Sequence, residues 1–237
     1  MPHTPDHLTE LNQQFERGDP QTILRWAVET YGERLALVTS FQPTGLVMLH
    51  MLLELAPRIS ILTLDTGVLF PETYALIERW ERDFDLMITR LRPAQTIEQQ
   101  AETHGAALWS RDPDLCCQLR KTIPLADALR GYDAWITGIR RDQAETRRTS
   151  AVIAWDSKYN NVKLAPLATW TEDMVWTYIH AYNLPYNPLH DQRYFSIGCQ
   201  PCTRAVTPGE EGRAGRWSGQ AKTECGIHLA ETMETKA

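Results

Sequence analysis

Leu35-Ala36-Leu37-Val38-Thr39-Ser40-Phe41-Gln42-Pro43-Thr44-Gly45 is the stretch on which the fold turns. Four consecutive apolar residues suit a strand buried on both faces, and the polar residues behind them suit a tight turn into a helix. A largely apolar helix is predicted over residues 46–55, broken at Pro57. The pattern then repeats. Residues 59–64 read as a strand, Asp65-Thr66-Gly67 as its loop, and residues 71–82 as an amphipathic helix opened by Pro71. Residues 86–89 and 134–138 read as a third and a fourth strand. Upstream, Asp19-Pro20 starts a helix that Gly32 stops, and downstream residues 171–182, with Glu172 and Asp173 in the first turn, form a late helix.

Strands that are nearly continuously apolar and separated by helices predict an α/β fold, a parallel sheet with helices on both faces. In such sheets ligands bind where strands end and helices begin. The loops after Val38, Leu64 and Gly138 are therefore expected to build the site. After about Asn183 the composition changes: Pro, Gly, Arg and Asp dominate and apolar periodicity disappears. The expected division is an α/β domain over 1–206 and a flexible C-terminal tail over 207–237.

The chain has 237 residues, 43% of them hydrophobic, which is enough for a substantial single core. A net charge of −6 argues against nucleic acid as the main partner. The first seven residues are polar, without an apolar signal core. No run of about eighteen apolar residues occurs, so no membrane span is expected. These features predict a cytoplasmic protein, in which cysteines are usually metal ligands or reactive thiols rather than disulfides. A homo-oligomer is left open.

Five cysteines then need a purpose: Cys116, Cys117, Cys199, Cys202 and Cys225. Cys199-Gln200-Pro201-Cys202 alone suits a redox dithiol, half of a metal site, or coincidence. With the adjacent pair Cys116-Cys117 it suggests a four-thiolate metal site. Adjacent cysteines are poor partners for one tetrahedral zinc ion, whereas a cubane iron–sulfur cluster offers each thiolate its own iron atom. The plain alternative is buried, inert cysteines. Cys225 is left over in Lys222-Thr223-Glu224-Cys225-Gly226-Ile227-His228, where one helical turn would set Lys222 or His228 beside its sulfur and favour a thiolate.

Together these residues resemble the adenylyl-sulfate and phosphoadenylyl-sulfate reductase family. The specific elements are Cys116-Cys117-Gln118-Leu119-Arg120-Lys121, Cys199-Gln200-Pro201-Cys202 and Glu224-Cys225-Gly226-Ile227-His228. Supporting matches are Thr39-Ser40-Phe41, Leu64-Asp65-Thr66-Gly67, Gly138-Ile139-Arg140-Arg141 and Gly212-Arg213-Ala214-Gly215-Arg216-Trp217. The resemblance implies an adenine-nucleotide-hydrolase-like fold and a 4Fe-4S cluster on Cys116, Cys117, Cys199 and Cys202. It implies adenylyl sulfate (APS) as substrate, because the branch preferring the 3′-phosphorylated nucleotide (PAPS) usually lacks the paired cysteines. It makes Cys225 the nucleophile, sulfonated and then released by a separate thioredoxin- or glutaredoxin-like reductant.

The anionic substrate calls for cations. Lys121, Arg213 and Arg216 are expected around the sulfate, Arg140 and Ser40 at the nucleotide phosphate, and Leu64 and Thr66 near the adenosine, with His228 also at the site. Arg147 and Arg148 read as surface charge, and His104, His180 and His190 have no assigned role. The turn after the first strand lacks the Ser-Gly-Gly-x-Asp-Ser pattern of relatives that cleave ATP. Competing readings are a PAPS reductase, a non-catalytic iron–sulfur redox sensor, and a tRNA-thiolating enzyme, which the net charge and this loop disfavour.

Overall fold

A computed structural model describes residues 4–228 of the chain. In chain order the elements are α1 (Pro5–Phe15), α2 (Pro20–Tyr31), β1 (Leu35–Val38), α3 (Pro43–Leu55), β2 (Ser60–Leu64), α4 (Pro71–Asp83) and β3 (Ile88–Leu91). There follow α5 (Ile97–His104), α6 (Leu108–Arg111), α7 (Pro113–Cys117), α8 (Ile123–Leu129), β4 (Ala134–Thr137), β5 (Ile153–Asp156), β6 (Asn161–Leu164) and α9 (Glu172–Ala181). Capping side chains set several starts: Asp19 accepts the Thr22 N–H, Thr171 that of Met174, and Thr96 with Gln99 forms a reciprocal box.

The six strands lie in the order β3-β2-β1-β4-β6-β5, all neighbours parallel except the β5–β6 pair. Alternate strand residues serve opposite faces. Leu35, Leu37, Ile61 and Ile136 join the main core beneath α2, α3, α4 and α9, while Ala36, Leu62 and Trp135 face Leu125 and Leu129 of α8. Helices thus cover both faces, as the apolar strand pattern predicts.

Three details differ from that reading. The helix after β1 begins at Pro43, three residues early, because the fixed φ of proline suits a first helical position. The third strand begins at Ile88 rather than residue 86, since Ile88 pairs with Ile61 while Met87 is exposed. The β5–β6 hairpin was not anticipated. Its strands carry Asp156, Asn161 and Lys163 and lack a continuous apolar run, and β5 is an antiparallel edge. Residues 229–237 of the expected tail lie outside the described residues.

β1 is central, with β2 on one side and β4 on the other, so the loops leaving β1 and β4 part and open a crevice. Its floor is tightly packed. A Cβ at position 45 would fall well inside van der Waals contact of Thr39 Oγ1. On an open helix surface Gly45→Ala would gain about 1 kcal/mol from helix propensity. Here the crowding against Thr39 should reverse the sign and give a net loss of roughly 1–3 kcal/mol in denaturant unfolding.

His190 is buried edge-on to Trp176, with ring centroids 5.4 Å apart, and burial pushes its pKa down to about 4. The unfolded value is near 6.5, so the unfolded chain binds more protons between those limits. The stability this neutral imidazole allows is present above pH 6.5 and is lost as pH falls toward 4. Unfolding midpoints at pH 7 and pH 5 should therefore differ less in His190→Gln than in the parent, by about 1–2 kcal/mol.

Candidate functional site

The loops leaving β1, β2 and β4 enclose a cavity of about 320 Å³ at one edge of the sheet. Phe41 takes a left-handed φ of 56°, and its N–H donates to Thr39 Oγ1 at 3.1 Å. This sharp turn brings the start of α3 to the cavity, where unspent N–H groups and the positive end of the helix dipole suit an anion. Ser40 is exposed at this mouth and Thr44 is buried in it. Arg140 Nη1 donates to Thr44 Oγ1 at 2.5 Å and its Nε to Asp142 Oδ1 at 2.9 Å. Arg140 therefore lines the cavity with part of its guanidinium already committed. Gln42 Oε1 accepts the Ile197 N–H at 2.9 Å and ties the later chain to the same loop.

The loop after β2 is the common anchor of both cysteine pairs. Arg120 Nε donates to the Thr66 carbonyl at 2.6 Å and so holds the helical segment that carries Cys116 and Cys117. Cys199 bridges antiparallel to Leu69, and the Gln200 N–H donates to the Val68 carbonyl at 2.8 Å. Thr66 Oγ1 lies 3.3 Å from Cys199 Sγ. As a result Cys116, Cys117, Cys199 and Cys202, all free thiols, line one buried pocket with Arg120 and Lys121 in its wall. Burial pushes the Cys116 thiol up and that of Cys202 up to about 11, with Cys199 adding to both. Among the described residues no three Cys, His, Asp or Glu side chains come close enough to hold a single metal ion.

Lys121 forms part of the wall of both this pocket and the larger cavity. It lies on a π-helical turn, Gln118–Thr122, inserted between α7 and α8, a widening that places Arg120 and Lys121 inward. Burial opposes its charge, but the sulfurs of Cys199, Cys225 and Cys117 outweigh that and hold the ammonium protonated.

The described part of the tail closes the opposite side. Cys225 is buried against Cys117 and Trp217. A hydrogen bond from the Cys117 thiol pulls its pKa well down; burial opposes this, and Lys121, the Ile227 N–H and Arg216 assist. Arg216 stacks on Trp217 at 4.4 Å, lies so close to Gly198 that no Cβ would fit, and has a buried Nε without a partner. Arg213 Nη1 donates to Ser196 Oγ at 3.3 Å and Nη2 to Glu224 Oε1 at 3.2 Å. His228 is half-buried, kept neutral first by desolvation and then by surrounding cations, and lies parallel to Trp135 at 5.9 Å.

Ser40, Leu64, Thr66, Lys121, Arg140, Arg213, Arg216, Cys225 and His228 all line the one cavity. The segment around Cys225 is not helical, so Lys222 pairs with Asp114 instead of lying one turn from the sulfur. Arg147 is corrected from surface charge: it is largely covered and holds the buried Glu224 through bonds of 2.7 Å from both Nε and Nη2. Arg148 is exposed as expected. Glu224 was the missed site residue. Its Oε1 also accepts the Cys225 N–H at 2.9 Å, and the visible signal was a carboxylate beside a candidate nucleophile.

The phosphoadenosine phosphosulfate reductase domain matches residues 34–205. Adenosine 5′-phosphosulfate reductase of Salinibacter ruber is 45% identical over 100% of this chain and 94% of its own. Adenosine 5′-phosphosulfate reductase 1 of Bacillus subtilis is 44% identical over 95% of this chain and 99% of its own. Among solved structures, phosphoadenylyl-sulfate reductase of Candida auris in a phosphate complex is similar with a TM-score of 0.76 and 32% identity, over 86% of this chain and 98% of that one. The FMN adenylyltransferase of Candida glabrata, 14% identical with a TM-score of 0.58, shares the fold. With a family domain matched over most of its length and full-length relatives beside it, the chain belongs to the phosphoadenosine phosphosulfate reductase family, a family of oxidoreductases.

Proposed function

We propose that this chain reduces adenosine 5′-phosphosulfate to sulfite and AMP, in sulfate assimilation, with Cys225 as nucleophile. The observation that carries the proposal is Cys225 itself: a buried thiol that shares with Lys121 and Arg216 the wall of a cavity running back to the start of α3. The substrate choice draws on the relatives of 44–46% identity, which bear that nucleotide's name. The phosphate would lie at Ser40 and the first turn of α3, and the adenosine beside Leu64 and Thr66. Lys121, Arg213 and Arg216 would surround the sulfate, each charge-assisted contact contributing roughly 1.5–3 kcal/mol.

In the first step the Cys225 thiolate attacks sulfur, the sulfur–oxygen bond to AMP breaks, and Cys225 carries an S-sulfonate. In the second a dithiol protein, of thioredoxin or glutaredoxin type, attacks Cys225 Sγ. Sulfite leaves, the mixed disulfide is opened by the second thiol, and the dithiol is oxidised by two electrons. That attack needs Cys225 exposed, so residues 207–228 would act as a mobile catalytic segment on the body to 206. The cytoplasm, where thiols stay reduced, suits this chemistry.

The paired cysteines fit a 4Fe-4S cluster. Four thiols share one pocket without converging on a single point, and two cations in the wall offset the negative charge of four thiolates around iron. When bound, the cluster would supply a fixed charge and an anchor for the segment bearing Lys121. Cys117 would then no longer donate to Cys225, and Lys121, the Ile227 N–H and Arg216 would hold the thiolate. Protein purified anaerobically should contain about four iron atoms per chain with a brown absorbance. Cys202→Ser should lose both; a colourless, iron-free and fully active parent would refute the assignment.

The central test is intact mass after mixing with APS in the absence of reductant. The expected gain is one SO3 unit, with AMP released in equal amount and no gain in Cys225→Ser. Because the Candida auris relative bears the PAPS name, the same experiment with both nucleotides in competition decides between them: faster sulfonation from PAPS would overturn the choice of APS.

A further inference from the structure

On the reading that Cys225 is sulfonated, we infer that Lys158 and Tyr159, on the turn between β5 and β6, are positioning residues that hold the tail and present Cys225 to the cavity. The turn is built for presentation. Asp156 Oδ1 accepts the Lys158 N–H at 3.1 Å, and Asn160 takes a left-handed φ of 55° that closes the hairpin. Lys158 Nζ donates to the Gly226 carbonyl at 2.6 Å, and the Tyr159 hydroxyl to the Ile227 carbonyl at 3.2 Å. Trp135 meets Tyr159 edge-on at 5.7 Å and lies parallel to His228 at 5.9 Å.

Cys225 is thus gripped from both sides. Glu224, just before it, is held by Arg147 and Arg213; Gly226 and Ile227, just after it, are held by the hairpin turn. Lys158 and Tyr159 are absent from the lining of the cavity, so they touch the tail and not the nucleotide. Both take main-chain carbonyls, so they hold a backbone conformation rather than a side chain. Such bonds can break and re-form as whole units, which suits a segment that must first dock and then leave.

The test uses the full chain with Lys158→Ala, Tyr159→Phe and Lys158→Arg. The first readout is alkylation of Cys225 without nucleotide, followed on the Cys225 peptide by mass. Lys158→Ala and Tyr159→Phe should raise its rate several-fold, because the thiol is buried only while the tail is docked. The second is single-turnover sulfonation by APS at saturation. It should slow about tenfold in either variant, while nucleotide affinity measured by titration calorimetry stays within about twofold. Lys158→Arg, which still reaches a carbonyl, should remain within about threefold of the parent in both readouts. Unchanged alkylation in Lys158→Ala, or affinity falling in step with the rate, would overturn the assignment. Should Lys158→Ala fail to fold, Tyr159→Phe decides, since it removes a single oxygen atom. A parent that never acquires the sulfonate sinks the functional reading, and alkylation then still judges the grip on the tail.

Discussion

Lys121 is a cation buried among sulfur atoms, and much of the surrounding structure follows from keeping it charged there. An ammonium taken out of water loses hydration worth several kcal/mol unless negative groups replace it. Around Lys121 the groups that favour the charge are sulfurs, with the Cys225 thiolate among them, rather than carboxylates. A carboxylate partner would neutralise the lysine in a tight pair and leave little field for a ligand. In the proposed reaction, sulfurs committed to metal or to catalysis would leave that field available. The same residue therefore reports to both chambers of the site, and the π-helical turn that bears it is the local distortion that sets it there.

The scaffold needed for this arrangement is the parting of loops on either side of β1. One loop supplies the start of α3, another the anchor for both cysteine pairs, and the third Arg140 with its links to Thr44 and Asp142. Asp142 in turn accepts the Glu172 N–H at 2.7 Å at the start of α9, so the loop after β4 is braced against the rim of the cavity. Rigid strand ends thus carry the proposed nucleotide side, and the less regular chain after residue 183 carries Cys225.

Two-step chemistry at one sulfur imposes opposed demands. The proposed attack on an anion requires Cys225 buried among cations, and the proposed release by a dithiol requires it exposed. The docked tail meets the first demand with a buried ion pair at Glu224 and carbonyl hydrogen bonds at Gly226 and Ile227. A continuous apolar seal would resist the second. Among the described residues of the tail, Trp217, Cys225 and Ile227 join the apolar clusters.

The sheet was legible in the chain because its inner strands β1, β2 and β4 are largely buried and spell out apolar runs, and the cysteine pairs with Glu-Cys-Gly-Ile-His pointed to the candidate site. The β5–β6 hairpin was illegible because Lys163 and Asp156 break its pattern, and Arg147 because its ionic partner is remote in sequence. Its carboxylate lies 77 positions away in Glu224, and Lys158 reaches a carbonyl 68 positions away. The amino-acid sequence by itself determined the alternating architecture and the identity of the thiols, since periodicity and residue type are local properties. What holds Cys225 among its cations, Arg147 on Glu224 and the β5–β6 turn on the carbonyls after it, only the tertiary structure decided, since those contacts exist only once distant segments are packed side by side.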